Sequence, residues 1–375
     1  MTDTLPAHQI GEGTATEREI RQQPDVWRDA ATRVAARREE LDRFLGPLLA
    51  GADLRIVLTG AGTSAFIGDV AAPFLTGLLH RRVDAIATTD LVAAPVELLA
   101  EDVPTLLVSF ARSGNSPEST AATALADQLL RDVRHLVITC DPDGALHREH
   151  ADRHESLVLE MPERANDEGF AMTSSFTSML LSVLLAFGGD IDVEPLAQGA
   201  EWMLTQRDRI EALGSREAER IVYLGSGSLT GLARESALKL LETAAGRIVA
   251  VHDSSLGFRH GPKSLLDEST LAIVYCSGDP YTRAYDEDIA DELRAAIGVD
   301  AVLTIAAEGS AADPSFAIPG LAGQPDALLA LPYVVFAQLF ALHTSQHYGV
   351  TTDNPFPNGS VNRVVQGVTI HQLGA

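Results

Sequence analysis

The sequence predicts an α/β protein made of two similar three-layer, doubly wound parallel-sheet domains related by internal duplication. Three observations carry this. Residues 55–64 read R-I-V-L-T-G-A-G-T-S and residues 220–229 read R-I-V-Y-L-G-S-G-S-L, each an apolar run ending in G-x-G and a hydroxyl residue, 165 positions apart. A Ser-Gly step recurs at nearly the same spacing, Ser113-Gly114 after the apolar run 106–110 and Ser277-Gly278 after 271–276. Short β-branched runs alternate with helical patterns along both halves, as parallel strands covered on two faces require.

Taken in order, residues 1–16 are polar and rich in Gly and Thr, which predicts a loosely ordered start. Residues 17–49 have helical periodicity through Trp27, Val34, Leu41, Leu45 and Leu48, with Pro24 at an early helix position. The first half then reads strand 54–59, helix 65–79, strand 83–88, a short helix capped by Thr89-Asp90, strand 105–110, helix 116–130 and strand 135–140. Residues 174–187 form an apolar helix, and 191–213 supply more helix before the pattern restarts. The second half reads strand 221–224, helix 229–243, strands 248–251 and 271–276, helix 286–296, strand 301–305 and a long apolar helix 328–349. The tail 351–375 is polar, with Pro and Asn. The expected division is a helical segment 1–50, a first domain 51–200, and a second domain with the tail over 201–375.

Composition limits the function classes. The 375 residues are 46% hydrophobic and 21% charged, which fits a globular protein of two domains. With 28 Lys and Arg against 52 Asp and Glu the net charge is −24, mainly a solubility feature and an argument against nucleic acid or an anionic membrane as partner. A small anion is still allowed, since backbone N–H groups and a few local cations can hold one. No signal peptide and no membrane span is expected. Cys140 and Cys276, at strand ends, predict buried packing in a reducing compartment, the cytoplasm.

Gly60-Ala61-Gly62-Thr63-Ser64 lies between a strand and a helix. Free N–H groups at the helix start and two hydroxyls make an anion site. An ordinary tight turn with a cap would read the same way. A dinucleotide site needs a third glycine, where Ala65 stands, although Asp84 lies at a tolerable spacing. The stretch Ser109 to Ser119 packs four serines, Arg112 and Gly114 between a strand and a helix. A helix cap accounts for Ser116 and Pro117 but leaves Arg112-Ser113-Gly114 unexplained, so phosphate binding is favoured.

Lys239 and Glu242 share one helix face among Ala237, Leu238, Leu240 and Leu241. A surface ion pair is the commoner use of that spacing, but the apolar setting suits a carboxylate that abstracts a proton beside a carbonyl. His260, within Phe258-Arg-His-Gly-Pro-Lys263, reads equally well as a proton carrier and as a solvated loop histidine. His147, His150 and His154 have a spacing that could bind metal, but with no further ligand cluster an exposed polar segment is the better reading, and no metal is expected.

Together the ordered landmarks G-A-G-T-S, S-x-x-R-S-G-N-S, E-S-A-L-K-L-L-E and R-H-G-P-K resemble the sugar isomerase (SIS) family in its tandem form, over both halves from about Leu54 onward. F-A-R-S-G-N-S-P-E-S, G-F-A-M-T-S-S-F-T, F-R-H-G-P-K-S and V-N-R-V-V-Q-G-V-T-I are most similar to the branch of galactosamine-6-phosphate deaminase/isomerases, also labelled tagatose-6-phosphate ketose/aldose isomerases. The resemblance implies a sugar phosphate as substrate. It implies phosphate binding around Gly62, Thr63, Ser64, Arg112, Ser113, Asn115 and Ser116, with Thr173 and Ser174 near the sugar. It implies Glu242 as the base between C2 and C1, His260 as the ring-opening acid/base, and Lys239 as electrostatic partner. Because that histidine can come from a neighbouring subunit in the family, a homodimer or higher homo-oligomer is implied, with no cofactor. Ala111 replaces a Ser of the glucosamine-6-phosphate synthase loop, and Gln366 stands where the synthase has a Schiff-base lysine. Ring opening is therefore expected not to use that lysine, and ammonia is expected to be released, since the synthase's glutamine-hydrolysing domain is absent. A ketose/aldose isomerase without amine loss, a glucosamine-6-phosphate deaminase and a non-catalytic sugar-phosphate sensor are the alternatives.

Overall fold

A computed structural model describes residues 13–365 and 367–374. In the first half, α1 (Ala15–Ala36) and α2 (Arg38–Leu49) precede β1 (Arg55–Thr59), α3 (Thr63–Leu79), β2 (Val83–Ala85), α4 (Thr88–Ala93), α5 (Pro95–Leu98) and β3 (Thr105–Ala111). There follow α6 (Pro117–Leu129), β4 (Val133–Thr139), α7 (Ala145–His150), β5 (Ser156–Glu160) and α8 (Ser174–Gly188). Next come α9 (Glu194–Thr205), α10 (Arg207–Gly214), β6 (Arg220–Gly225), α11 (Ser228–Thr243), β7 (Val249–Asp253) and β8 (Thr270–Tyr275). α12 (Pro280–Ile297), β9 (Val302–Ala307), β10 (Phe316–Ile318) and α13 (Asp326–His347) complete the elements.

Two compact units result. The first-sheet unit holds residues 25–166, 174–193 and the described part of 361–374. The second-sheet unit holds 13–24, 167–173 and 194–360. Each contains one five-stranded, wholly parallel sheet, ordered β2-β1-β3-β4-β5 in one and β7-β6-β8-β9-β10 in the other. The duplication extends to register. Arg55 pairs with Thr105 and Thr59 with Ser109 in the first sheet. Arg220 pairs with Thr270 and Leu224 with Val274, the same positions moved by 165 residues. This strand order reverses direction between β1 and β3, and between β6 and β8. The loops leaving those strands flank the crevice where such sheets bind ligands.

Both sheets are buried on two faces. In the first-sheet unit Val57, Leu107 and Val133 pack on Ala122, Ala126 and Leu130. α8 is buried from Ser174 to Ala186, and the indole of Trp27 donates to Thr177 Oγ1 at 2.9 Å. In the second-sheet unit Val222, Leu224, Ala272 and Val274 meet Ile289, Ala290 and Leu293 of α12. α13 is long and apolar enough to cross a membrane by length and composition, yet it is buried within its unit.

Several boundaries differ from the sequence reading. The helix expected over 17–49 is two helices, because Arg37 (φ −105, ψ 13) leaves helical geometry between them. The strand expected over 83–88 ends at Ala85, since Thr88 already starts α4. Ser109 lies in β3, which runs to Ala111, so the loop after it is Arg112–Ser116. The edge strands β5 and β10 were not foreseen. Cys140 and Cys276 follow β4 and β8 directly and are buried and unbonded to each other.

Candidate active site

In the first-sheet unit the turn from β1 to α3 depends on two glycines. A Cβ on Gly60 would stand 2.6 Å from the backbone of Ser64, and Gly62 has φ 56 and ψ −129, a conformation open to glycine. Thr63 and Ser64 are buried at the helix start. Beside them, in the loop from β3 to α6, Gly114 has φ 62 and Ser116 caps α6 by accepting from the Ser119 N–H at 3.2 Å. Pro117 at the first helical position needs no donor partner there. Asn115 accepts from the Ala145 N–H at 3.0 Å, and Ser113 Oγ accepts from the Asn115 N–H at 3.3 Å. The guanidinium of Arg112, only 7% exposed, donates to the Arg363 carbonyl of the tail at 3.1 Å.

The chemistry of this cup comes from hydroxyls. Thr59, Thr63, Thr88 and Ser109 are all buried, and none of their side-chain oxygens has a hydrogen-bond partner among the described residues. Thr59 and Ser109 are register partners at the strand ends, and Thr88 donates its backbone N–H to Gly60. A buried polar atom without a hydrogen bond costs about 1–3 kcal/mol, and four such hydroxyls meet at this loop junction. Thr59 and Thr88 escaped the sequence reading because threonine in or beside a strand is ordinary.

Thr173, in the second-sheet unit, has its N–H at 2.8 Å and its hydroxyl at 3.1 Å from the buried Asp167. Ser174 opens α8 in the first-sheet unit and is fully buried. Gln366 lies outside the described residues.

The carboxylates cluster elsewhere. On α11, Glu235, Lys239 and Glu242 share one face. Lys239 Nζ, 1% exposed, lies 2.5 Å from Glu242 Oε2 and 3.6 Å from Glu235 Oε1. Glu235 is fully buried, whereas Glu242 keeps a quarter of its side chain accessible. The spacing therefore marks a buried cation beneath a reachable carboxylate, not a surface pair. Glu235 was missed because a lone acid four residues upstream carries no signal of burial.

His260 ends a short 3-10 turn, Gly257–His260, and is exposed, with no hydrogen bond among the described residues. Its two cationic neighbours do not flank it as free charges. Arg259 Nε contacts Glu292 at 2.7 Å, and Lys263 bonds the same carboxylate. Lys263, then Arg259, hold the Glu292 carboxyl below its usual range. The three histidines of the α7 region also disperse. His147 bonds Glu160 at 2.9 Å, His150 is buried against Ser156 at 2.8 Å, and His154 is exposed beside Glu155. No group of metal-ligating side chains forms among the described residues.

Comparison with known proteins adds to this geometry. The SIS domain matches residues 48–188 and 216–347. A D-galactosamine-6-phosphate deaminase AgaS of Escherichia coli is 48% identical over 370 residues, 96% of each chain. A Streptomyces coelicolor relative, to which that name is attached provisionally, is 59% identical over 367 residues, 96% of this chain and 95% of its own. The crystal structure of tagatose-6-phosphate ketose/aldose isomerase from Escherichia coli superposes with a TM-score of 0.89 at 45% identity, covering 97% of this chain and 98% of the other.

Proposed function

Because the chain belongs to the SIS family, we propose that it is an enzyme that removes ammonia from galactosamine 6-phosphate and isomerises the carbon skeleton to tagatose 6-phosphate. The observation that carries the reading is the reachable carboxylate of Glu242 held 2.5 Å from the buried Lys239 ammonium. A carboxylate so fixed can take a proton from carbon next to a carbonyl, and the ammonium can balance the negative charge that develops.

In this reading the open-chain sugar presents an aldehyde at C1 and an amine at C2. Glu242 takes the C2 proton while O1 gains one, giving the 1,2-enolamine, and returns it to C1 while the amine nitrogen gives one up, giving the C2 imine. Water adds to the imine carbon and ammonia leaves, so the products are the ketose phosphate and NH3. The phosphate is assigned to Ser64, Arg112, Ser113, Ser116 and the backbone of Gly62 and Thr63, with Asn115 holding the loop. Thr173, Ser174 and Gln366 are assigned to the sugar. His260 is assigned to ring opening, and its exposure without a partner favours use by a neighbouring copy, hence a homo-oligomer. The buried free cysteines fit a reducing, cytoplasmic setting, and the net charge of −24 disfavours nucleic acid as a partner.

Ammonia release from galactosamine 6-phosphate and glucosamine 6-phosphate, with the ketose identified, tests the reading. Release from the first, lost in Glu242→Gln while phosphate-ester binding persists, is the expected result. Turnover retained by Glu242→Gln would reject the base. Interconversion of unaminated ketose and aldose phosphates without ammonia would favour the second reading, which the name of the 45%-identical structure suggests.

A further inference from the structure

The two copies share their loop geometry but not their loop chemistry. Gly62 and Gly227 have φ/ψ of 56/−129 and 56/−126. A Cβ on Gly60 or on Gly225 would come within 2.6 Å of the carbonyl oxygen of Ser64 or Leu229, respectively. Yet the partnerless hydroxyls of Thr59, Thr63, Thr88 and Ser109, at the strand ends and helix starts, belong to the first copy, whereas those of the second-sheet unit, among the described residues, are Tyr223 within β6, Thr344 on α13 and Thr352 beyond it. At the positions of Thr59 and Ser109 the second sheet has Leu224 and Val274, both buried in its apolar core.

Two carboxylates at the second crevice are bound by the protein's own donors. Asp286, on α12, is buried. Its Oδ1 accepts from the hydroxyls of Ser226 at 2.6 Å and Ser255 at 2.5 Å, and its Oδ2 accepts from the Ser277 N–H at 2.9 Å. Asp326, the first residue of α13, accepts from the Ser277 hydroxyl at 2.6 Å and the Gly278 N–H at 2.7 Å. Burial pushes both carboxyls up from their ordinary range, and these donors oppose it. Two backbone N–H groups and three hydroxyls thus converge on carboxylate oxygens, the donor set that a phosphate would need.

The matching positions of the first copy are hydroxyl residues. Pro117 and Pro280 both open the helix after the central strand, and Thr123 and Asp286 lie at the same step beyond them. Ser174 and Asp326 both begin the last helix of their sheet. We propose that Asp286 and Asp326 are built-in anions that fill, in the second copy, the place a phosphomonoester takes in the first. The chain then holds one phosphate, and these two residues decide which copy receives it. A dianion entering beside two buried carboxylates would meet like charge and find its donors taken.

The inference rests on the first copy being the phosphate site, and the test separates the two. Equilibrium dialysis of the full chain against inorganic phosphate should give one equivalent per chain, lost in Ser64→Ala/Ser116→Ala. Asp286→Thr/Asp326→Ser should keep that equivalent and gain a second. Should this variant not fold, the reverse exchange Thr123→Asp in the first copy should abolish the one equivalent. Two equivalents on the unaltered chain would overturn the inference while leaving the phosphate reading intact. So would a folded Asp286→Thr/Asp326→Ser chain that still binds one. A single equivalent that survives Ser64→Ala/Ser116→Ala would instead reject the first copy as the phosphate site.

Discussion

Acid should unfold this protein through a buried pair of neutral histidines, and the size of the effect can be worked from their surroundings. His135 and His150 are fully buried in the first-sheet unit with ring centroids 4.7 Å apart. His135 Nε2 bonds Asp127 at 2.8 Å and His150 Nδ1 bonds Ser156 at 2.8 Å, while His135 Nδ1 and His150 Nε2 have no partner among the described residues. Burial lowers both rings. His150 falls from 6.5 to about 4, helped by His135 and Arg153 and opposed by Asp127. The folded value lies below the unfolded one, so the unfolded chain takes the proton first and acid favours it. The His150 contribution is whole above pH 6.5, shrinks below it, and is spent once the folded value is passed. One such group costs about 2 kcal/mol by about pH 5 and about 3 kcal/mol by about pH 4, with a limiting slope of about 1.4 kcal/mol per pH unit. Urea unfolding at a series of pH values reads this directly. His150→Leu should remove about one proton's worth of slope between about pH 6 and pH 4.5, whatever it does to stability at pH 8. A variant with the slope of the parent protein would refute the assignment.

Two further predictions bear on the site. Lys239→Met leaves the buried Glu235 without its ammonium and should destabilise by about 3–5 kcal/mol, whereas Glu235→Gln/Lys239→Met should recover most of that in urea unfolding and regain no turnover. Gly60→Ala and Gly225→Ala meet the same backbone obstruction and should each cost about 1–3 kcal/mol by urea unfolding. Only Gly60→Ala should also weaken phosphate binding; equal weakening by both would contradict the placement of the anion.

The duplicated fold was legible because its signals are local. Glycines that a side chain would obstruct, and short apolar strands buried on both faces, mark themselves in any copy. The edge strands were not, since β10 is three residues long and β5 follows a stretch dense in His, Asp, Arg and Glu. The break at Arg37 carries neither Gly nor Pro to mark it and was read through, while Pro24 and Pro47 sit inside helices, as the periodicity had them. At the site, Arg112-Ser113-Gly114 stood out because packing does not call for them. Thr59, Thr88, Glu235 and Asp286 did not stand out, because their meaning lies in burial and in partners distant along the chain.

The two copies carry different side chains at matched positions. The face of α11 that carries Glu235, Lys239 and Glu242 corresponds, 165 residues earlier, to Val70, Phe74 and Gly77 of α3, which cannot move a proton. Conversely the strand ends that carry Thr59 and Ser109 correspond to Leu224 and Val274, which cannot hold an anion. The polar residues thus differ between the copies at matched positions, although the register and the glycine turn are shared. The carboxylates of Asp286 and Asp326 fit the same pattern. A loop that gathers donors without an external ligand would leave them unsatisfied, and here two aspartates satisfy them from within.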